Sequence, residues 1–95
     1  MSTSTGQTGR PDVSVTVRYF ASLREALGER EVLLLPAGTS LGAVRDQLIA
    51  RGGRYAEALA RGRALRCALN QVMADEASTV PAGAELAFFP PVTGG

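Results

Sequence analysis

The sequence predicts an α+β domain in which one mixed β-sheet packs against a main helix on one of its faces. The chain has 95 residues, which is enough for one domain. Apolar and polar residues alternate near both ends of the chain, as is typical of half-buried strands. Between these segments, apolar residues recur at helical spacing. Strands followed by a crossing helix and returning strands favour a two-layer domain of this kind.

The composition excludes several kinds of chemistry. Ten basic residues, all arginine, and nine acidic ones give a net charge of +1, which provides no electrostatic footprint for nucleic acid or an anionic membrane. Histidine is absent and Cys67 is the only cysteine, which excludes Ser-His-Asp and Cys-His catalysis, Cys/His zinc sites and internal disulfides. The longest uncharged run, 32–44, is shorter than the about 20 residues that span a bilayer. No signal peptide precedes it, so we expect a cytoplasmic protein.

The N-terminal part of the chain predicts an arm and a first strand. Residues 1–12 are rich in Ser, Thr and Gly, and this composition predicts a disordered arm. Residues 13–20, VSVTVRYF, alternate strictly and predict a half-buried strand whose inward side chains are Val13, Val15, Val17 and Tyr19. Phe20 then stands out as a large aromatic on the polar face.

A short helix and a second strand are predicted next. Ser22 and Glu25 fit a capping box, in which the Ser hydroxyl accepts a hydrogen bond from the Glu25 amide and the Glu carboxylate reaches back. Gly28 suits the left-handed residue that ends such a helix. The second strand is predicted over residues 31–35 and stops at Pro36.

The main helix is predicted over residues 41–51. Thr39 and Ser40 supply its N-terminal cap, and the Gly52-Gly53 pair ends it. Its apolar stripe consists of Leu41, Val44 and Leu48, widened by Ile49. A further turn or two of helix is expected within residues 54–60.

Two or three strands complete the domain. Residues 65–70 alternate and place Cys67 inward, as a small core side chain rather than a reactive thiol. A turn at Asn70-Gln71 leads to a possible short strand at Val72-Met73. Residues 85–89 predict the last strand, with Leu86 and Phe88 inward and Ala87 and Phe89 outward. This order of elements suits a ubiquitin-like, β-grasp fold.

The C-terminal sequence FFPPVTGG supplies the most specific motif. Two prolines cannot extend a sheet and stiffen the exit from it, whereas two glycines add flexibility without bulk. Three segments carry a likeness to a known family: VRYFASLREALG (17–28), ALNQ (68–71) and AGAELAFFPPVTGG (82–95), which includes this ending. Through them, residues 15–95 resemble the sulfur-carrier small subunits of molybdopterin synthase, in the ubiquitin-like MoaD/ThiS superfamily.

The resemblance implies a sulfur-carrier domain over residues 13–95 with a flexible tail at 90–95. A MoeB-like, E1-like adenylyltransferase would use ATP to adenylate the Gly95 carboxylate, and a sulfur donor protein would convert it into a thiocarboxylate. The tail would then enter a MoaE-like large synthase subunit and donate sulfur to cyclic pyranopterin monophosphate, forming the dithiolene of molybdopterin. The domain itself would bind no cofactor or metal and would not be catalytic alone.

The resemblance also implies which residues meet the large subunit. It places Phe20, Phe89 and Met73 at that interface, and two outward aromatics on neighbouring strands of this fold would form a contact patch. The tail residues that lead to Gly95 would bind the partner as well, namely Pro90, Pro91, Val92, Thr93 and Gly94.

Three alternatives stay open from the sequence. The first is a sulfur carrier for another pathway, such as that of thiamine, cysteine or thiolated nucleosides. The second is a ubiquitin-like protein modifier attached through Gly95, although a chain without lysine cannot build lysine-linked chains of itself. The third is a binding module with an inert tail.

Overall fold

The computed structural model describes residues 12–91, which form one mixed sheet with helices on one side. Along the chain the elements are β1 (Asp12–Tyr19), α1 (Ser22–Leu27), β2 (Arg30–Pro36), α2 (Leu41–Ile49), α3 (Gly53–Ala58), β3 (Arg66–Leu69), β4 (Val72–Ala74) and β5 (Glu85–Phe89). Asp12 is thus the first residue of β1 and not part of an arm. The rest of the predicted arm, 1–11, and the end of the tail, 92–95, lie outside the described residues.

The strands lie in the order β2-β1-β5-β3-β4. The central strands β1 and β5 are parallel, with Val17 opposite Leu86, and the other neighbouring pairs are antiparallel. The first and last strands of the chain therefore lie side by side in the middle of the sheet. The predicted α+β class with a mixed sheet is confirmed.

The core lies between the inner face of the sheet and the helices. Strand alternation buries the side chains that it predicts, including Val15, Val17, Tyr19, Leu86 and Phe88. The α2 stripe of Leu41, Val44 and Leu48 packs against them and is completely or almost completely buried. Cys67 belongs to the same cluster at 5% exposure, which confirms its predicted place in the core.

The predicted capping box of α1 is wrong. The N-cap residue is Ala21, with φ 55° and ψ −130°, and no side chain caps the helix. The reason lies one residue earlier, because the Phe20 amide still donates to the Phe88 carbonyl oxygen at 3.2 Å. The chain must then turn within Ala21, so Ser22 is already the first helical residue. By contrast, Ser40 caps α2 as predicted, since its Oγ accepts from the Ala43 amide at 3.1 Å.

The β3–β4 hairpin is closed by a two-residue turn. Asn70 and Gln71 have φ of 51° and 69°, as the type I′ turn of tight hairpins requires. The turn is also anchored to β5, because the Asn70 amide donates to the Glu85 carbonyl oxygen at 2.8 Å. In return, the Glu85 amide donates to Asn70 Oδ1 at 3.0 Å. These two bonds fix the hairpin, and with it β4, against the start of β5.

A buried guanidinium ties the helical side of the molecule together. Arg45 of α2 is 3% exposed, and its Nε donates to the Leu59 carbonyl oxygen at 2.8 Å. Its Nη1 pairs with Glu76 Oε2 at 2.8 Å, and its Nη2 donates to carbonyl oxygens after α3. Arg61 also pairs with Glu76 and with Asp46. Arg61 itself lies in the loop after α3, and its side chain is nearly half exposed.

Candidate functional site

The face of the sheet that points away from the helices is the candidate site, and we call it the outer face. The strand register aligns Arg18 of β1, Ala87 of β5, Ala68 of β3 and Met73 of β4 across it. These residues alternate along each strand with the side chains that point to the helices, so the outer face follows from the period-2 pattern of the strands. Met73 is 55% exposed.

The two outward phenylalanines meet on this face. Phe20 directly follows β1 and Phe89 ends β5, and the rings lie edge to face with centroids 6.4 Å apart and an interplanar angle of 86°. Aromatic pairs in this geometry are stabilising beyond the area that they bury. The structure therefore brings together Phe20, Phe89 and Met73, which the sequence placed on separate strands.

A shallow depression of about 320 Å³ lies between these side chains. Ala68 and Ala87, which are directly opposite each other in the register, form its floor. Phe20, Phe89 and Met73 form its apolar walls, and the remaining lining residues are Arg18, Gln71 and Glu85. Neither alanine stands out in the sequence, because only the pairing of β3 with β5 brings the two together.

The charged groups at the rim of the depression neutralise each other. Arg18 Nη1 lies 2.9 Å from Glu85 Oε2, and each side chain is about one-third exposed. The guanidinium carbon of Arg18 also lies 5.0 Å from the centroid of the Phe20 ring, within cation–π range. An ion pair this exposed adds little stability. Its consequence is local, since it holds Arg18 against Phe20 and leaves the rim without net charge.

The apolar surface continues to the root of the tail. A second depression, of about 520 Å³, is lined by Arg66, Met73, Phe89 and Pro91. It shares Met73 and Phe89 with the first one. Pro90 and Pro91 leave the end of β5 outside any strand, as two prolines must. The predicted site residues Val92, Thr93, Gly94 and Gly95 lie outside the described residues.

Cys67 is separated from this surface. Its Sγ donates to the Ala74 carbonyl oxygen at 3.3 Å, and burial, followed by the nearby Glu76 and Asp75 carboxylates, raises the pKa of the thiol. A thiolate is the reactive form of cysteine, so this site disfavours reaction.

In the part of the chain that the structure describes, no group of three or more Cys, Asp and Glu residues could hold a metal ion. No helix within residues 12–91 is long and apolar enough to cross a membrane.

Two curated relatives match most of this chain over nearly their whole length. The molybdopterin synthase sulfur carrier subunit of Haemophilus influenzae is 41% identical over 81 residues, covering 85% of this chain and 99% of the relative. The protein of the same name from Escherichia coli is 36% identical over 81 residues, with the same coverage.

Solved structures share the fold, and the chain also matches a family model. Small archaeal modifier protein 1 of Haloferax volcanii superposes with a TM-score of 0.68 at 23% identity, covering 84% of this chain and 99% of that one. The complex of subunits 1 and 2 of the molybdopterin-converting factor of Helicobacter pylori gives a TM-score of 0.60 at 24% identity, covering 86% and 99%. These likenesses confirm the ubiquitin-like β-grasp fold. The ThiS family model matches residues 17–95, and with the two relatives this shows that the chain belongs to the ThiS family.

Proposed function

We propose that this chain is the sulfur-carrier subunit of a molybdopterin synthase. The structural observation that supports the proposal most strongly is the continuity of the apolar outer face with the root of the tail, through Met73, Phe89 and Pro91. A partner that docks on this face is thereby placed where the tail leaves the sheet. The names of relatives at 41% and 36% identity favour the same function.

The proposed chemistry takes place on the terminal carboxylate of Gly95. A carboxylate is a poor electrophile, so an E1-like adenylyltransferase joins it to the AMP portion of ATP with loss of pyrophosphate. The donor protein supplies sulfide, which attacks the carbonyl carbon and displaces AMP, so that a C–S bond replaces the bond to the phosphate oxygen and the thiocarboxylate forms. In the large synthase subunit this sulfur passes to cyclic pyranopterin monophosphate, and two such transfers complete the dithiolene.

The tail acts as a narrow arm in this cycle. Pro90 and Pro91 give the exit from β5 a fixed direction, because the proline ring restricts φ. The four residues after Pro91 can span about 13–14 Å when extended, and the last two carry no side chain. Such an arm could present the terminal carboxylate inside a partner's cleft while the outer face stays docked.

The partner-binding residues of the proposal are Phe20, Phe89 and Met73 on the outer face. Aromatic side chains and methionine are enriched in the buried centres of protein interfaces, and a few such anchors usually carry most of the affinity. The large synthase subunit is the expected occupant of this face. The cytoplasm stays the predicted compartment.

Intact-protein mass tests the proposal. The purified chain is incubated with the adenylyltransferase, ATP and a sulfur source, and a parallel sample lacks ATP. We expect a gain equal to the difference between one sulfur and one oxygen atom, located on the C-terminal peptide, and the same gain in a Cys67→Ala control. A gain located on the Cys67 peptide instead would overturn the carrier assignment.

A reconstituted reaction separates the alternatives. With the large subunit and cyclic pyranopterin monophosphate, the thiocarboxylated chain should release molybdopterin. A carrier for the thiamine, cysteine or thiolated nucleoside pathway would form the thiocarboxylate but no molybdopterin. A protein modifier would instead form an amide-linked adduct whose mass is the sum of this chain and its target minus one water molecule.

A further inference from the structure

We propose that the depression floored by Ala68 and Ala87 is a preformed hole for one apolar side chain of the large synthase subunit. The inference rests on the proposed function and adds to it the chemistry of the contact. The anchor would come from the partner and insert into this chain, in addition to the contacts made by Phe20 and Phe89 themselves.

The hole exists because two small residues face each other where strands usually carry larger ones. Ala68 and Ala87 are cross-strand partners, and their outer neighbours in the same row are Met73 and Arg18. Strands favour β-branched and aromatic side chains, which would fill this space. On the inner face β5 does carry such bulk, in Leu86 and Phe88. On its outer face, the same strand therefore leaves a gap at Ala87, next to the larger side chains of Phe89 and Met73.

The walls of the hole are held in place before any partner arrives. Phe20 packs edge to face on Phe89, and Arg18 both lies against Phe20 and pairs with Glu85. The β3–β4 hairpin, which carries Met73, is fixed to β5 by the two hydrogen bonds between Asn70 and Glu85. Binding to a preorganised surface loses less conformational entropy, so a fixed hole favours a tight contact.

The polarity of the hole selects an apolar occupant. Its floor and three of its walls are apolar, and the two charged side chains on its rim are paired with each other. A charged group inserted into the hole would lose its hydration without gaining an unpaired opposite charge, which costs free energy. An apolar side chain would lose only unfavourable contact with water. Because the apolar surface runs on to Pro91, the partner that fills the hole is the one that receives the tail.

Filling the hole tests the inference. Ala87→Leu adds an apolar side chain on the floor and leaves Phe20, Phe89 and Met73 in place. We expect the affinity for the purified large subunit, measured by calorimetry, to fall by at least about 10-fold, as loss of a central anchor does. Ser14→Leu is the control, because it introduces the same side chain at an exposed position of the same face outside the depression. Its affinity should stay within about 2-fold of the native value.

A smaller change keeps the test decisive if Ala87→Leu does not fold. Ala87→Val suits a strand and fills part of the hole, so it should weaken binding to a lesser but measurable degree, by about 3-fold or more. Thermal unfolding of each variant establishes that it is folded. Native affinity in a folded Ala87→Leu or Ala87→Val chain would overturn the hole while leaving the proposed function intact. No binding of the native chain to the large subunit would overturn both.

Discussion

At the scale of single residues, Phe20 and Phe89 differ from the core aromatics in what their removal should affect. Both are half-buried on the outer face and contact each other, so changing either to Ala should lower the free energy of unfolding by about 0.5–1.5 kcal/mol. Binding to the large subunit should weaken by about 1 kcal/mol or more, because aromatic anchors dominate interfaces. Chemical denaturation and calorimetry give the two numbers separately. A large fall in the free energy of unfolding, with unchanged affinity of the folded protein for the large subunit, would contradict the proposed interface role.

Cys67 is the residue whose chemistry the fold suppresses. Cys67 is 5% exposed, so a reagent has little access to its thiol. Its pKa is raised, chiefly by burial, so little of the reactive thiolate forms. We expect a maleimide or iodoacetamide reagent at pH 8 to leave the native protein unlabelled for hours and to label it completely in denaturant. Mass spectrometry counts the adducts. Rapid labelling of the folded chain would show that Cys67 is accessible and return it to consideration as a sulfur site.

At the scale of elements, the Arg45–Glu76 pair joins α2 to the segment after β4, and it should make stability depend on acid. Hydrogen bonds from Arg61 and then Arg45 hold the pKa of Glu76 below its usual value. A carboxyl whose pKa is lowered by folding stabilises the protein above its unfolded pKa of about 4.3, and this stability is lost as the pH falls through the folded value.

Glu76→Gln tests this dependence. At pH 7 it leaves the buried Arg45 without its anion, and we expect a loss of about 1–2 kcal/mol in the free energy of unfolding, because Glu76 itself is one-third exposed. Below about pH 4 the free energy of unfolding should fall more steeply for the native chain than for the variant. The two plots of this free energy against pH should therefore converge. Glu57→Gln, an exposed carboxyl on α3, is the control. Parallel curves down to pH 3 would show that Glu76 does not carry the effect.

The elements also show what sequence reasoning can reach. The inward and outward phases of β1 and β5, and the Ser40 cap of α2, were predictable because each depends on residues next to one another in the chain. The Ala21 turn was not, since it follows from the hydrogen bond that the Phe20 amide donates to the Phe88 carbonyl oxygen, far along the chain. The hole over Ala68 and Ala87 was likewise hidden, because it depends on the register between β3 and β5. Long-range pairing is the common cause of both gaps.

At the scale of the whole molecule, the proposed docking face and the proposed sulfur-carrying group lie in different parts of the chain. The outer face is built from β1, β3, β4 and β5, whereas the proposed reacting carbon lies four residues beyond Pro91. A rigid sheet can thus bind the partner while the tail alone enters the reaction. Changes to the outer face should therefore weaken binding to the large subunit, whereas changes to the tail should block thiocarboxylate formation. Mutations can thus separate partner binding from sulfur transfer.

Two changes at the terminus test this separation. Adding one residue after Gly95 moves the carboxylate and puts a side chain where the sequence has a bare glycine. Deleting Gly95 leaves a carboxylate on Gly94, about 3.3–3.6 Å short in an extended chain. A misplacement of even about 1 Å can cost about 100-fold in rate where geometry is demanding, so both variants should form little thiocarboxylate and little molybdopterin. Both should keep native thermal unfolding and native affinity for the large subunit, because Phe20, Phe89 and the hole are unchanged. Normal synthesis by an extended chain whose mass shows that it was not trimmed would mean that the Gly95 carboxylate is not the carrier.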